Sequence, residues 1–501
     1  MDWRGAVLNP LDEASVEALI PEIERKGVES IAVGLLHAYA NPLHEKRTWD
    51  ILRAALPDIF FSLSSDVCPE IREYDRQSTT CANAFVQPLM ACYLKDVRER
   101  LAAAGFVCPC LIMTSGGSLF TIEAATDFPV RLVESGPAGG AILACSIARQ
   151  LGEDRVISFD MGGTTAKICL IDNGEPLLSR SFEVNRAHRF MKGSGMPVKI
   201  PVVEMVEIGA GGGSIADVDN LGRIKVGPES AGADPGPACY GRGGDKPTVT
   251  DAKLITGIIN PTYFAGGQFD LDEGKARTAM EKVARGLNTS VEEAAVAVIR
   301  TVEANMINAL KLVSIQRGHD PREFAMVVGG GGGAMHGAPL GRDLGVKEVI
   351  VPLYPGLFSA WGMLATEPRR DFMQTALQRD EDVQEKDVRA LFDRLKQEAE
   401  DYFRNDSHMV DAEITYEGRI DLRYLGQEHS VTVPVETAAA TVENILADFH
   451  DAHEKTYTFR LDDTPVEFVT YRLAASAKVP RPELKKLGPE GRSLEAALKN
   501  P

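Results

Sequence analysis

No apolar run in this 501-residue chain is long enough to cross a bilayer. The first residues, MDWRGAVLNPLDE, lack both a basic n-region and an apolar h-region, so no secretory signal is expected. Metal-ligand patterns are also missing. The nine histidines form no H-x-x-x-H or H-x-H, and the eight cysteines form no C-x-x-C. Cys108-Pro109-Cys110 is a C-x-C, but a zinc site would need a second pair. His450 and His453 lie beside Asp451 on an expected helix and read as a solvated face. Nothing marks a Ser-His-Asp triad. Positive charge is in short supply: 54 Lys and Arg stand against 72 Asp and Glu, a net charge of −18. That balance argues against nucleic acid or an anionic membrane as a partner. It leaves room for a phosphate held by a local nest of backbone N–H groups. The cysteines read as reduced, mostly buried thiols of a cytoplasmic protein.

What is present is ordinary for a globular chain: 44% of residues are hydrophobic and 25% charged. At this length one core is too few, and two or three domains are expected. Residues 14–149 alternate strand signals (30–36, 59–64, 110–114) with helix signals (42–56, 72–105), which predicts an α/β domain with parallel strands. The segment 134–140, ESGPAGG, opens a helix rich in small residues. It reads as a packed connecting helix, with a phosphate-binding helix start as the sharper alternative. From residue 155 a second unit opens with two strands, and a third strand over 176–184 is expected to continue the meander. Residues 186–195 are basic and loop-like, and 225–241 reads as a long Gly/Pro/Ala loop. Helices are predicted over 271–286 and 290–317. A strand from 324 runs into five glycines, with a helix starting near Ala334, a strand over 346–351 and a second small-residue connector at 355–364. After Asp371 the character changes to an α+β unit. It has a charged, solvent-facing helix over 380–404, a hairpin over 414–435, a helix over 437–457 and a strand over 466–474. A tail follows residue 480.

The most informative segment is 159–171, FDMGGTTAKICLI. An apolar strand reaches Asp160, a Gly-Gly-Thr-Thr turn follows, and a second apolar strand leaves. Gly162 and Gly163 permit a sharp bend and a close approach of backbone N–H groups to an anion. Thr164 and Thr165 add hydroxyl donors. Asp160 is placed to hold a metal ion or orient a water. Taken alone, the segment also fits an ordinary β-hairpin. Two stretches then look like one element used twice. LIMTSGGSL (111–119) precedes the connector at 135–150, and AMVVGGGGG (325–333) precedes the connector at 355–364. A duplicated domain would explain them, each copy opening with its own phosphate loop. No D-x-G-G-T occurs before residue 160, so the chain is expected to start inside its first domain.

Together, FDMGGTTAKICLI, ESGPAGG, EIGAGGGSIA, VGPESAGADPGPACYG, VVGGGGGAMHG and PGLFSAWGML resemble the hydantoinase A/oxoprolinase family. DLRYLGQEHSVTVPV and PVEFVTYRL resemble its C-terminal domain. The resemblance implies an α/β fold of the actin-like or sugar-kinase-like ATPase kind, with duplicated domains around a nucleotide cleft. Here the first would be an incomplete domain over 1–150, the second would span 151–371, and a C-terminal α+β domain would span 372–501. It implies ATP and Mg²⁺ as cofactors. It also implies a cyclic amide substrate of the hydantoin or 5-oxoproline type, a hydantoinase B-type partner subunit and an oligomer. Asp160, Gly162, Gly163 and Thr164 match the family's second phosphate loop, with Asp160 the candidate catalytic and metal-binding residue. Gly329, Gly330, Gly331, Gly332 and Gly333 match the adenosine-side loop. Gly211, Gly212, Gly213 and Ser214 match a glycine turn lining the cleft. His336 follows the adenosine loop and either contacts ligand or makes local hydrogen bonds. Many relatives end the phosphate motif with an acidic residue where this chain has Lys167, which either adds a phosphate contact or points to solvent. A ketone carboxylase subunit and a non-catalytic remnant are the alternatives to an ATP-dependent amide hydrolase, and a sugar kinase rests on fold alone.

Overall fold

The computed structural model describes residues 1–185, 187, 193–404, 409 and 412–479. The basic stretch 186–195 falls mostly outside the described residues, and the expected tail after 480 lies wholly outside them. The chain has a mixed α/β fold. Its first part pairs β1 (Ser30–Val33) and β2 (Phe60–Leu63) in parallel, with α1 (Leu43–Ala55) between them in sequence. The long helix α2 (Glu73–Ala103) packs on both strands and carries Pro88 inside it. Arg76 of α2 is fully buried and donates to the carbonyls of Leu35 and Glu70, each at 3.0 Å, and to Ser64 Oγ at 3.1 Å. Ser64 in turn donates to Glu45 Oε1 at 2.6 Å. One guanidinium thus ties both strand ends to both helices, because burying it requires every donor to find an acceptor. The third expected strand, β3 (Leu111–Met113), does not join this pair. It forms an antiparallel hairpin with β4 (Leu119–Thr121). The small-residue helix α3 (Ser135–Leu151) follows.

The central sheet contains β5 (Val156–Met161), β6 (Ala166–Asp172), β7 (Met205–Ile208), β10 (Ala325–Gly329) and β11 (Val349–Ile350), in the order β7–β6–β5–β10–β11. β6 runs antiparallel to both β5 and β7, while β10 runs parallel to both β5 and β11. Strand side chains alternate between faces. Ile157, Phe159 and Met161 pack on one side with Val298, Val302 and Met306 of α6 (Val291–Val313). Val156, Ile171, Ala325 and Val327 pack on the other with Leu143, Ala144 and Ile147 of α3 and with Phe358. Burial on both faces is why β5 and β10 read as continuous apolar runs. Two expectations are corrected. Residues 176–184 do not form one continuous third strand: Glu175–Pro176 pairs with the end of β6, the rest breaks into short pieces paired elsewhere, and β7 runs along the remainder of β6. Nor is 225–241 all loop, because β9 (Ile224–Ser230) pairs with β8 (Ser214–Val218) before the Gly/Pro segment begins. Helices α4 (Val249–Ile255), α5 (Glu273–Leu287), α7 (Gly330–Leu344) and α8 (Phe358–Leu364) complete this part.

The last part is a four-stranded antiparallel sheet, β12 (Arg369–Arg379), β15 (Val466–Ala477), β13 (Ile414–Tyr424) and β14 (Val431–Val435), in that order. It is packed by α9 (Glu385–Arg404) and α10 (Val442–Tyr457). The charged helix α9 is not simply solvent-facing. Val388, Leu391, Phe392, Leu395, Ala399 and Phe403 recur at helical spacing and are buried. His450 and His453 do not lie on a solvated face. His453 is 1% exposed and bonds the Phe459 carbonyl and Gln427, while His450 Nδ1 lies 2.7 Å from the Tyr424 hydroxyl.

Asp421 of β13 joins the three parts. It accepts from Arg472 Nε at 2.7 Å, Arg180 Nη1 at 2.5 Å and Thr432 Oγ1 at 2.6 Å, and Arg472 continues to Glu70 at 2.9 Å. The guanidinium groups of Arg472 and Arg180 hold the Asp421 carboxyl below its usual range despite its burial. Substituting Asp421→Asn removes the charge but not the shape. It should lower unfolding stability by about 2 kcal/mol, because charge-assisted hydrogen bonds become neutral ones beside a buried arginine. Urea unfolding at pH 7 measures this.

Candidate functional site

Asp160 and Gly329 are in-register neighbours on β5 and β10, so both strands end at the same edge of the sheet. At that edge β5 turns back into β6 and β10 runs directly into α7. The β5–β6 turn is closed by the Gly162 N–H donating to the Thr165 carbonyl at 3.0 Å. Gly162, Gly163 and Thr164 are exposed there, and Thr165 is half-buried. The Asp160 side chain points to the α3/α8 face, where Oδ2 accepts from Ser359 Oγ of α8 at 3.0 Å. A Cβ on Gly140 of α3 would lie 3.1 Å from Oδ2, and one on Gly330 would lie 2.4 Å from Oδ1. Gly330 also has φ +80°, so a side chain is excluded there on two counts. Burial pushes the Asp160 carboxyl above its usual range, opposed by the Ser359 hydrogen bond and the charge of Lys167. A partly buried carboxylate with so little compensation is a site that a cation stabilises.

Lys167 sits opposite Asp160 on β6, with Glu207 of β7 on its other side. Directly opposed residues share a face, and the Lys167 ammonium lies 3.4 Å from Glu207 Oε1. It is therefore neither free in solvent nor released toward the turn. The second glycine turn stands directly behind the first. Gly212 N–H donates to the Gly162 carbonyl at 3.1 Å and Gly213 N–H to the Gly163 carbonyl at 2.6 Å. A Cβ on Gly211 would lie 2.6 Å from the Gly163 carbonyl, so the two backbones touch. Ser214 is fully buried, and its Oγ accepts from Gly211 N–H at 2.8 Å. Thr250 of α4 donates through both N–H and Oγ1 to the Gly212 carbonyl, each at 2.8 Å. These groups brace the Asp160 turn from behind.

The five glycines are not a loop, and the helix does not wait for Ala334. Gly329 ends β10, and α7 begins at Gly330, making Gly330 to Gly333 its first turn. Poor helix propensity is overridden by packing. A Cβ on Gly329 would lie 2.1 Å from the Phe358 ring, and one on Gly332 would lie 3.3 Å from Met161 Sδ. The first turn leaves backbone N–H groups without intrahelical partners, and the helix dipole favours an anion at this end. Gly331 is exposed at this point and Gly333 is buried.

His336, one turn further along α7, is fully buried, and its Nδ1 lies 2.9 Å from Glu303 Oε1 of α6. Lys253 of α4, 1% exposed, donates to the Met335 carbonyl at 3.1 Å and lies 3.7 Å from the same Glu303 oxygen. Burial holds the His336 pKa below its ordinary value, against the pull of Glu303. A lowered folded pKa means that the unfolded chain binds the proton more tightly. Stability from this group is complete above the unfolded value and falls as pH drops below it. Acidification from pH 7 to 5 should therefore lower the melting temperature of the native chain more than that of His336→Gln. Parallel thermal melts test this.

Residues 76–372 match the hydantoinase/oxoprolinase family, and residues 1–56 match that family's N-terminal region. The protein belongs to the hydantoinase/oxoprolinase family. It is 37% identical to an uncharacterized protein of Methanocaldococcus jannaschii, over 97% of this chain and 70% of that one. It is 34% identical to the caprolactamase subunit alpha of Pseudomonas jessenii, over 96% of this chain and 69% of that one. The crystal structure of the ATP-dependent caprolactamase from Pseudomonas jessenii superposes with a TM-score of 0.81 at 32% identity, covering 97% of this chain and 70% of that chain.

In this family member, sequence reasoning overlooked Ser359, Gly140, Thr250, Lys253 and Glu303. The first two lay inside the small-residue connectors, whose spacing signalled close packing without naming what they meet. Lys253 shares the short helix VTDAKLI with a second charge, Asp251, so the pattern alone does not mark it as buried. The packing reading of the first connector holds. A Cβ on Gly139 would lie 2.6 Å from the Ser359 carbonyl oxygen, and one on Gly362 would lie 1.7 Å from the Gly139 carbonyl oxygen. The cysteines divide evenly rather than being mostly buried: Cys68, Cys145, Cys169 and Cys239 are buried, and the other four are exposed or half-buried. Burial pushes the Cys68 and Cys145 thiols up to about 12, so neither is a nucleophile near neutrality. Among the described residues no helix is long and apolar enough to cross a membrane, and no three His, Cys, Asp or Glu side chains gather as a metal site.

Proposed function

We propose that this chain is the nucleotide-binding subunit of an ATP-dependent hydrolase that opens cyclic amides of the hydantoin or 5-oxoproline type, working with a hydantoinase B-type subunit. The observation that carries the reading is the Asp160 carboxylate at the shared end of β5 and β10, between a glycine hairpin turn and the glycine start of a helix. Ligands of open α/β sheets bind beyond the carboxyl ends of the strands. An antiparallel triple extended by two parallel strands also supports an actin-like ATPase half over 151–371, with 1–150 as its incomplete counterpart and 372–501 as an α+β domain. The family relationship to an ATP-dependent caprolactamase supports amide chemistry.

An amide carbon is a poor electrophile, and ATP would supply a phosphoryl group to the amide oxygen, so that water can add to the carbon. The C–N bond then breaks with the nitrogen leaving as the amine, and a second water frees inorganic phosphate. The residues at the site act by position and charge. Gly162, Gly163 and Thr164 present an exposed backbone turn to phosphate, and Gly331 at the start of α7 presents a second. Mg²⁺ keeps most of its water and takes one or two carboxylates. Asp160, charge-poor and within reach of the turn, fits that demand, and Ser359 fixes its orientation. The test is ADP release by the chain with a B-type subunit, in the presence of caprolactam, hydantoin or 5-oxoproline. Amide-dependent ADP release is expected. Its absence with every amide, or dependence on bicarbonate and a ketone instead, would overturn the reading.

A further inference from the structure

At the opposite end of the central sheet from Asp160 lies an open cavity of about 570 Å³, lined by residues of all three parts of the chain. Its wall includes Asp172, five residues along β6 from Lys167 and therefore about 17 Å away at strand rise. The cavity is thus remote from the turn described above. Six cationic side chains line it against five carboxylates. Five of the cations are paired. Arg180 and Arg472 hold Asp421, Lys199 lies 3.4 Å from Glu70, Arg369 lies 3.5 Å from Glu417, and Arg419 lies 3.9 Å from Glu175. Asp172 is held by Arg155, 3.4 Å away.

The sixth cation, Arg131, is different. Its backbone is pinned by Ser115, whose N–H and Oγ both donate to the Arg131 carbonyl at 2.8 and 2.6 Å. Its guanidinium makes no hydrogen bond or ion pair with any described residue, although it lines this cavity and two that adjoin it. Glu70 and Asp371 are the carboxylates whose charge it feels, and both are already committed, to Arg472 and Arg369. Burial outweighs their pull and disfavours its charged form. A guanidinium is a planar fork of donors, and Arg131, half-buried in the cavity wall, has its fork open to a ligand. The partner that completes it is a carboxylate, which it can hold through two parallel bonds. One excess positive charge selects a monoanion, because the five wall carboxylates disfavour a dianion. Val67, Leu177, Leu178, Ile200 and Met373 supply apolar wall for the rest of the ligand.

We infer that this cavity binds a small organic monocarboxylate with an apolar body, its carboxylate on Arg131. Calorimetric titration of the full chain with butanoate, hexanoate and octanoate tests this, with hexylamine and inorganic phosphate as controls. At least one carboxylate binds with one-to-one stoichiometry, and neither control does. Arg131→Gln weakens that binding at least about tenfold, the loss expected for a charge-assisted bond. Leu178→Trp, at a wall position 41% exposed, narrows the cavity and weakens binding without threatening the fold. It decides the matter if Arg131→Gln does not fold. Three results would overturn the inference: no carboxylate binding, phosphate binding as tightly as the carboxylates, or unchanged affinity in the folded variants.

Discussion

Asp160→Asn is expected to abolish amide-dependent ATP turnover while making the chain more stable at pH 7. The asparagine keeps the volume, and its amide oxygen can still accept from Ser359 at the present 3.0 Å geometry. The negative charge is lost, and with it the means to bind a cation or orient a reacting group. Losing a group in that role costs roughly 10²- to 10⁴-fold in rate. The gain in stability follows from the direction of the pKa shift. Burial raises the Asp160 carboxyl above its unfolded value, so the folded chain binds this proton more tightly than the unfolded chain does. The ionised group therefore destabilises the fold at neutral pH, and the penalty is relieved as pH falls through the raised value. A neutral asparagine removes the penalty outright. Steady-state ADP release and thermal melts of the same preparations give both readouts. Lost turnover with a lower melting temperature would mean that Asp160 is a structural anchor. Unchanged turnover would remove it from the chemistry. A rise in stability joined to a loss of rate is the mark of a group kept for function at a cost to the fold.

The Asp160 turn was legible because everything that makes it lies within 16 residues: two apolar runs, two glycines, and hydroxyls that tolerate the bend. The reading failed where the deciding contact is distant in sequence. Five consecutive glycines have the propensity of a loop, yet the first ends β10 and the other four form the first turn of α7, where Phe358 approaches Gly329, and Asp160 and Met161 approach Gly330, too closely for a side chain. Residues 176–184 and 205–208 are comparably apolar. Only pairing settles which runs beside β6, and pairing is a property of the whole sheet. The Lys253–Glu303–His336 group spans 84 residues on three helices. Each member alone looks like a surface residue, since patterning treats charge as exposed. The two connectors are similar and rich in small residues in the sequence, but similarity alone does not say that they pack on each other.

That packing carries the largest expected loss of stability. At the crossing of α3 and α8 the backbones are in contact, and a Cβ on Gly362 would lie 1.7 Å from the Gly139 carbonyl oxygen. Carbon and oxygen do not approach within about 3 Å without repulsion, so Gly362→Ala must drive the helices apart by more than an ångström. Alanine favours an isolated helix by about 1 kcal/mol over glycine, and overpacking at a rigid backbone exceeds that. A net loss of about 3 kcal/mol is expected. Gly139→Ala should behave alike, since its Cβ would lie 2.6 Å from the Ser359 carbonyl oxygen. Gly136→Ala, on the same helix with nothing within 4 Å of its Cβ, should cost nothing. Urea unfolding of the three variants makes the comparison. Because α8 carries Ser359, the two clashing variants should also loosen the hydrogen bond that orients Asp160, so nucleotide turnover should fall below what the folded fraction accounts for. If Gly362→Ala unfolds at the native midpoint and retains full turnover, the helices do not cross this closely, and Asp160 is held by something other than α8.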